Sequence, residues 1–316
     1  MTLTELRYVV MLAKEQHFGR AADRCFVSQP TLSIAVKKLE GELGVALFER
    51  TKSRVQPTPV GERIVQQAQR VLEQTSAIRD LADEGKDQLS SPLAIGAIFT
   101  IGPYLFPQMI PRIREAASEM PLVIEEGYTA TLRKRLRNGE LDVIVISLPF
   151  TEPDVVAQVL YEEPFVVLMH KDHALAAKKS ISAKDLSDND VLLLGEGHCF
   201  RDQILDSCDG LRQSLEENQS RVRTAAEGSS LETLRHMVAS DLGVTVVPQS
   251  AADNPQYRAG VLVWRPFTAP GPSRKVALAW RASFPRHKAI DAVRQSILGC
   301  DLSVKIKPVG GRRKKN

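Results

Sequence analysis

A chain of 316 residues with 43% hydrophobic and 25% charged side chains has the composition of a soluble globular protein of two or three domains. No apolar run approaches the roughly 18 residues of a membrane helix, and the charged N-terminus argues against a signal peptide, so we expect a cytoplasmic protein. The net charge of +4 is accounted for by the tail 312-RRKK-315, so bulk charge gives no argument for nucleic-acid binding.

The first fifty residues have the pattern of a helix-turn-helix. Residues 4-TELRYVVMLAKEQ-16 show helical apolar spacing, with Thr4 as the expected N-cap. A short helix over 20–25 and a longer one over 29–43 follow, separated by the tight turn 26-FV-27. Two short helices joined in this way are typical of a DNA-binding module, whose second helix enters the major groove.

The second helix is predicted to carry the DNA-reading surface. Ser28 is its expected cap, and hydroxyl and amide side chains stand in its first turns, where base edges are reached. Basic residues then interleave with two prolines in 47-LFERTKSRVQPTPVGE-62, which suits a wing along the phosphates. An ordinary helical domain with a solvated polar face is the alternative. The predicted DNA contacts are Ser28, Gln29, Pro30, Thr31, Ser33, Lys37, Arg50 and Lys52.

From Pro59 to Leu89 the chain reads as one long helix. Its apolar seam has heptad spacing and comprises Ile64, Ala68, Val71, Thr75, Ile78 and Ala82. Such a seam fits a dimerisation helix or a linker packed on its own domain. We favour the dimer, because one helix-turn-helix reads only a half-site. The predicted domains are therefore a winged helix-turn-helix over 1–58, a linker and dimerisation helix over 59–89, and a further region after the hinge 85-GKDQLSSP-92.

Beyond Pro92 short apolar runs alternate with helical patterns, which predicts an α/β architecture with mostly parallel sheets. The expected strands are 93–98, 122–128, 142–147, 165–170, 191–195, 244–248 and 276–280, and the expected helices include 107–120, 129–140 and 229–243. We expect one lobe over about 90–162 and 268–300 and a second over about 163–267, with crossovers near 150–165 and 265–270. The basic tail 301–316 is expected to be disordered.

Ligands of open α/β sheets bind where strands end and helices begin. Polar residues that the pattern places at such points are Thr100, Thr129, Ser229 and Ser230. Arg265, which follows 261-VLVW-264, either points into a site or is an exposed charge. No Cys/His cluster has metal-ligand spacing and no Gly-rich phosphate loop is present, so we expect no metal and no cofactor.

Several stretches resemble LysR-type transcriptional regulators over roughly residues 1–300. The opening MTLTELRYVVMLAKEQHFGRAADRCFVSQPTLSIAVKKLEGELGVALFER is similar to their DNA-binding domain. The phrases 100-TIGPYLFPQMIP-111, 195-GEGHCFRDQ-203 and 229-SSLETLRHMVASDLGVTVVP-248 resemble the hydrogen-peroxide sensors of that family. The segment 209–228 is longer and more polar than the family pattern, and the tail from Lys305 is not part of it.

The resemblance implies a homotetrameric activator with a two-lobed, periplasmic-binding-protein-like regulatory domain. Its partners would be promoter DNA and RNA polymerase, and it would control oxidative-stress defence genes. It further implies that Cys199 is oxidised by hydrogen peroxide and pairs with Cys208. The peroxide pocket would contain Thr100, Thr129 and His198, with Arg265 as a further candidate.

The residues around Cys199 suit this chemistry. A thiol reacts as its thiolate, and the expected position of Cys199 at a helix N-terminus, beside His198 and Arg201, favours an anion. Peroxide would give a sulfenic acid, which a second thiol converts to a disulfide. The other two cysteines, Cys25 and Cys300, are expected to be structural.

The spacing of Cys199 and Cys208 predicts a refolding step. Nine helical residues rise about 13.5 Å over two and a half turns, which places the two thiols on opposite faces. A disulfide requires Cα atoms about 4.4–6.8 Å apart, so the segment 200-FRDQILDSC-208 has to unwind first.

Two other functions remain open on the sequence alone. The same scaffold could sense a small anion or metabolite between its lobes, with passive cysteines that serve only core packing. A peroxide-consuming thiol enzyme is a third reading, which the helix-turn-helix disfavours. We therefore expect a regulator rather than an enzyme.

Overall fold

The computed structural model describes residues 1–50, 55–82, 88–208, 211–212, 222–224, 230–253 and 260–302. The chain divides into two units, the first made of residues 1–87 with 283–285 and the second of the remainder. Lys52, Ser229, most of the segment 209–228 and the tail from 303 lie outside the described residues. Among the described helices, none combines the length and apolarity needed to cross a membrane.

The first unit contains the predicted helix-turn-helix and a small wing. Its elements are α1 (Leu3–Glu15), α2 (Phe18–Arg24), α3 (Gln29–Leu43), β1 (Phe48–Arg50), β2 (Val55–Pro57) and α4 (Pro59–Ala82), with β1 and β2 antiparallel. Most apolar positions at helical spacing face inward: Leu6, Val9, Leu32, Val36 and Leu39 are buried, whereas Leu43, at the end of α3, is exposed. The helical periodicity of the sequence thus corresponds to a real core.

The first helix begins earlier than the apolar spacing indicates. Thr2, not Thr4, is the N-cap: its hydroxyl accepts from the backbone N–H of Glu5, and the Glu5 carboxylate accepts from the N–H of Thr2. This reciprocal capping box satisfies two of the unpaired donors at the helix start. The caps of α3 agree with the prediction, with Ser28 at its start and Gly44, in the left-handed region, at its end.

The second unit is built on one curled sheet with helices. Its elements are β3 (Leu93–Ile98), α5 (Gly102–Ala116), β4 (Leu122–Gly127), α6 (Thr129–Arg137), β5 (Val143–Ser147), β6 (Val155–His170), a short 3-10 helix (Ala174–Ala177), α7 (Ala183–Ser187), β7 (Val191–Leu193), α8 (Cys199–Ser207), β8 (Val222–Thr224), α9 (Leu231–Ala239), β9 (Val244–Pro248), α10 (Gln249–Ala252), β10 (Leu262–Pro266), β11 (Ser273–Arg281) and α11 (His287–Leu298). The strand order is β4-β3-β5-β11-β6-β9-β7-β8, and β10 pairs with β6.

The sheet is mixed, so the expectation of mostly parallel pairing is wrong. Strand β3 is parallel to β4 and β5, and β7 is parallel to β8 and β9, whereas β6 and β11 form only antiparallel pairs. The expected crossover near 150–165 lies within one long strand, β6, whose first half pairs with β11 and whose second half pairs with β9 and β10. Polar residues in the first half, such as Gln158 and Glu162, interrupt the apolar pattern, so the sequence does not indicate a strand there.

Candidate functional site

Three strand-to-helix connections of the second unit meet around one small cavity. The segments 98–100 after β3, 127–129 after β4 and 197–200 at the start of α8 line it. The cavity volume is about 10 Å³, close to the smallest space that holds one water-sized molecule. Cys199 is half-buried on its wall. The structure therefore brings Thr100, Thr129, His198 and Cys199 together as four of the residues around one cavity.

Thr100 is held by a buried arginine that sequence reasoning missed. The guanidinium of Arg274, on β11, donates to the Thr100 hydroxyl at 2.8 Å and to the Thr100 carbonyl at 2.8 Å. Its remaining partner is the carboxylate of Glu163 on β6, also at 2.8 Å, and both charged side chains are fully buried. Glu163 in turn accepts from the backbone N–H of Ser250, so the pair is well satisfied by hydrogen bonds.

Thr129 and His198 occupy the starts of the two helices that border the cavity. Thr129 is the first residue of α6, and its hydroxyl oxygen is buried with no hydrogen-bond partner among the described residues. His198 is the N-cap of α8, and its ring stacks edgewise on Tyr128 with a centroid separation of 4.8 Å. Phe99 contacts both rings. This aromatic cluster fixes the histidine ring on one side of the cavity.

The two cysteines stand at opposite ends of α8. Cys199 is the first helical residue and Cys208 is the C-cap, buried at 1% exposure. Both are reduced thiols. The backbone N–H groups of a helix start carry partial positive charge, and Cys199 stands at that start. The helix thus has the length expected from the sequence and separates the thiols along its axis.

Packing and hydrogen bonds hold α8 in place. Phe200, Ile204 and Leu205 are buried in the core of the surrounding lobe, and the Phe200 ring meets Phe165 at 4.8 Å. The Arg274 guanidinium lies 5.4 Å from the centre of the Phe200 ring, within cation–π range. On the other side the Gln203 amide donates to the Ser147 hydroxyl and the Leu148 carbonyl at 2.8 and 3.0 Å. The helix therefore contacts both this hydrophobic core and the end of β5.

The structure does not bring Arg265 to this cavity. Arg265 lies on β10, where its guanidinium donates to the carbonyls of Ala176, Lys178 and Trp264. It borders a separate concave region. Arg201 is also directed elsewhere, because it donates to the Leu194 carbonyl at 3.0 Å.

Three further candidates of the sequence, Ser230, Cys25 and Cys300, lie outside the cavity lining. Ser230 caps α9 by accepting from the Thr233 N–H, and it does not line the cavity. Burial raises the pKa of the Cys25 and Cys300 thiols. The Cys300 thiol also donates to the Ser296 carbonyl. Both cysteines therefore fit the structural role expected of them.

The predicted DNA-reading residues lie on α3 and the wing. Ser28, Gln29, Pro30, Thr31 and Lys37 are exposed, Ser33 is half-buried, and Arg50 is the last residue of β1. The hydroxyls of Ser28 and Thr31 are 2.8 Å apart and hydrogen-bonded to each other. The ammonium of Lys38 is turned toward α1, 3.0 Å from the Glu5 carboxylate, which raises the pKa of Lys38 and lowers that of Glu5.

Comparisons with known proteins agree with this architecture. The family described as "LysR substrate binding domain" matches residues 86–299, and the one described as "Bacterial regulatory helix-turn-helix protein, lysR family" matches residues 3–62. The chain belongs to the LysR family. It is therefore a DNA-binding transcriptional regulator of the LysR type, with the winged helix-turn-helix and two-lobed regulatory fold of that family.

Within the LysR family the chain groups with the OxyR proteins. It is 36% identical over 297 residues to the "Hydrogen peroxide-inducible genes activator" of Dickeya chrysanthemi, which covers 94% of this chain and 95% of that protein. The same identity and coverage hold for the "DNA-binding transcriptional dual regulator OxyR" of Escherichia coli K12. A solved full-length OxyR from Pseudomonas aeruginosa, a cysteine-to-aspartate variant, shows 59% identity and a TM-score of 0.82, with 96% of each chain covered.

Proposed function

We propose that this LysR-type regulator senses hydrogen peroxide by oxidation of Cys199 and disulfide formation with Cys208, and that it controls oxidative-stress defence genes. The observation that carries the proposal is the thiol of Cys199 on a cavity of about 10 Å³, with Cys208 at the other end of the same helix. The names of the relatives, which describe an activator of genes inducible by hydrogen peroxide, support it.

The size and polarity of the cavity favour peroxide over a metabolite. Sites for metabolites usually need about 300–1,000 Å³, whereas the space beside Cys199 is about 10 Å³, close to the size of one water molecule, so a small oxidant suits it better than a metabolite does. The hydroxyls of Thr100 and Thr129 and the ring of His198 offer hydrogen bonds to the two oxygens of such a molecule. Arg274 fixes the Thr100 hydroxyl, and thereby orients one of these groups.

The proposed chemistry has two steps. The Cys199 thiolate attacks one peroxide oxygen, the O–O bond breaks, and the released hydroxide takes a proton to become water. This leaves a sulfenic acid on Cys199. The Cys208 thiolate then attacks the Cys199 sulfur, the S–O bond breaks, and a second water leaves. Two electrons pass from the two thiols to one peroxide, and a cellular thiol reductant would have to restore them.

The second step requires α8 to unwind. Nine helical residues separate the cysteines by about 13.5 Å along the axis, well beyond the distance that a disulfide spans. Unwinding removes Phe200, Ile204 and Leu205 from their present packing and breaks the bonds of Gln203. The refolded segment would then change the shape of the regulatory domain and, through it, the arrangement of subunits in the proposed tetramer.

We further propose that the protein acts in the cytoplasm as a homotetramer on promoter DNA, where it contacts RNA polymerase. Dimerisation through α4 is supported by Val71 and Ile78, which occupy the heptad seam and are exposed. The DNA contacts are proposed at Ser28, Gln29, Pro30, Thr31, Ser33, Lys37, Arg50 and Lys52. Two helix-turn-helix units per dimer would read two half-sites.

The deciding experiment follows the masses of the peptides that contain Cys199 and Cys208. The full-length protein is alkylated before, and seconds after, addition of one equivalent of hydrogen peroxide. A linked pair in the wild type, together with its absence in Cys199→Ser, is the expected result. Survival of both free thiols would refute the proposal. Continuous consumption of excess peroxide with a thiol reductant would instead indicate an enzyme.

A further inference from the structure

An exposed isoleucine stands at the centre of the outward face of α3. Ile34 is 69% exposed, whereas Leu32 and Val36, two residues away on either side, are fully buried. Two residues correspond to about 200° of rotation in an α-helix, so Ile34 points away from the core that Leu32 and Val36 face. It is flanked along the same face by Pro30 and Lys37, which are also exposed.

Three polar side chains near Ile34 are already engaged within the protein. The hydroxyls of Ser28 and Thr31 are hydrogen-bonded to each other, and Ser28 also caps the helix by accepting from the Thr31 N–H. Lys38 is bonded to Glu5 on α1. An apolar side chain thus stands, largely exposed, on the outward face of α3.

In the major groove, the base edges offer one apolar group, the C5-methyl of thymine. The other groups displayed there are hydrogen-bond donors and acceptors, which an isoleucine cannot satisfy. We propose that Ile34 is a specificity-determining residue that packs on a thymine methyl in each half-site. The proposal rests on the promoter binding proposed above and not on the response to peroxide. Lys37, one turn further on, would lie at a phosphate and set the register without reading sequence.

The contact can be isolated by removing the methyl group from the DNA. Reduced full-length protein first selects its site from a pool of random duplexes. Each thymine of the enriched duplex is then replaced singly by deoxyuridine, which lacks only the C5-methyl. Loss of one buried methyl contact is expected to weaken binding about fourfold. For the wild type we expect this loss at one thymine position per half-site. At that position Ile34→Ala should bind the thymine duplex and the deoxyuridine duplex equally.

Controls separate specificity from folding and from charge. Ile34→Ala should keep the wild-type affinity and salt slope on nonspecific DNA, since it removes no phosphate contact. Should that variant not fold, Ile34→Val replaces it and is expected to keep part of the deoxyuridine penalty. Val123→Ala changes a residue that is 55% exposed on β4, in the other unit, and should keep the full penalty. Lys37→Ala should weaken all sequences alike and lower the salt slope.

Two results would overturn the assignment of Ile34. If no single replacement of thymine by deoxyuridine changes the affinity of the wild type, the protein reads no methyl group. A penalty of equal size in Ile34→Ala and the wild type would show that another residue reads it. Failure of the wild type to enrich any sequence is a different outcome, because it would refute the proposed promoter binding itself.

Discussion

Replacing Ile204 by alanine should make Cys199 and Cys208 easier to oxidise. Ile204 lies on α8 at 3% exposure, within the core that the helix must leave before the thiols can meet. Replacing a buried isoleucine by alanine destabilises the state in which the side chain is packed by about 2–5 kcal/mol. If the disulfide form has already released Ile204, only the reduced form loses this stabilisation. For a two-electron couple the reduction potential would then fall by about 40–110 mV.

The assay is an equilibrium titration of the full-length protein in thiol–disulfide buffers of known potential, with the linked fraction measured by mass. Ile290→Ala is the matched control, because Ile290 is buried at 4% exposure on α11 and takes no part in α8. It should lower thermal stability by a similar amount and leave the potential unchanged. Equal potentials for Ile204→Ala and the wild type would refute the coupling of disulfide formation to unwinding of α8.

Further predictions concern the cavity, the buried ion pair, a surface carboxylate and the tail. Thr129→Val should slow oxidation by peroxide about threefold to tenfold, as expected for one lost hydrogen bond, without slowing alkylation of Cys199 by iodoacetamide. Glu163→Ala leaves the charge of Arg274 buried and unpaired, so it should cost about 3–5 kcal/mol in unfolding experiments. Hydrogen bonds from Lys178 and Ser182 lower the pKa of Asp185 to about 2. Asp185→Asn should therefore destabilise the protein above about pH 4, and the difference measured in thermal melts should vanish as the pH falls towards 2. Deletion of 312-RRKK-315 should lower the salt slope of nonspecific DNA binding if the tail contacts phosphates, and an unchanged slope would show that it does not.

Much of the fold could be read from the sequence because its elements have strong periodic patterns. Strand β3, with six residues in an unbroken apolar run, and strand β9 lie where they were predicted. The errors occur where the pattern is interrupted. The apolar pattern predicts only the second half of β6, because polar residues interrupt the first half. Helix α5 begins at Gly102, five residues before the predicted start at 107. Tertiary packing decides both cases, and a local pattern cannot show it.

The residues of the candidate site likewise fall into those that the sequence indicates and those that it does not. Cys199, Cys208 and His198 stand out because they are clustered in one short segment, and the helix between the cysteines could be derived from spacing. Arg274 could not be found, since it is far from Cys199 in sequence and nothing in its own strand distinguishes it from Arg265. The two arginines differ only in their neighbours. Arg265 lies on an edge strand and bonds to carbonyls, whereas Arg274 lies on a central strand opposite Glu163.

The geometry of α8 explains why a peroxide sensor would keep its two thiols apart. Cys199 is the first residue of the helix and borders the cavity, so capture of peroxide in that cavity needs the helix to be formed. The same helix holds Cys208 too far away, so the second reaction needs it to be unwound. A nine-residue helix is only marginally stable by itself and depends on its packing, which lowers the free-energy cost of unwinding it. The position of the two thiols on α8 thereby orders the two steps: capture of peroxide in one conformation and formation of the disulfide in the other.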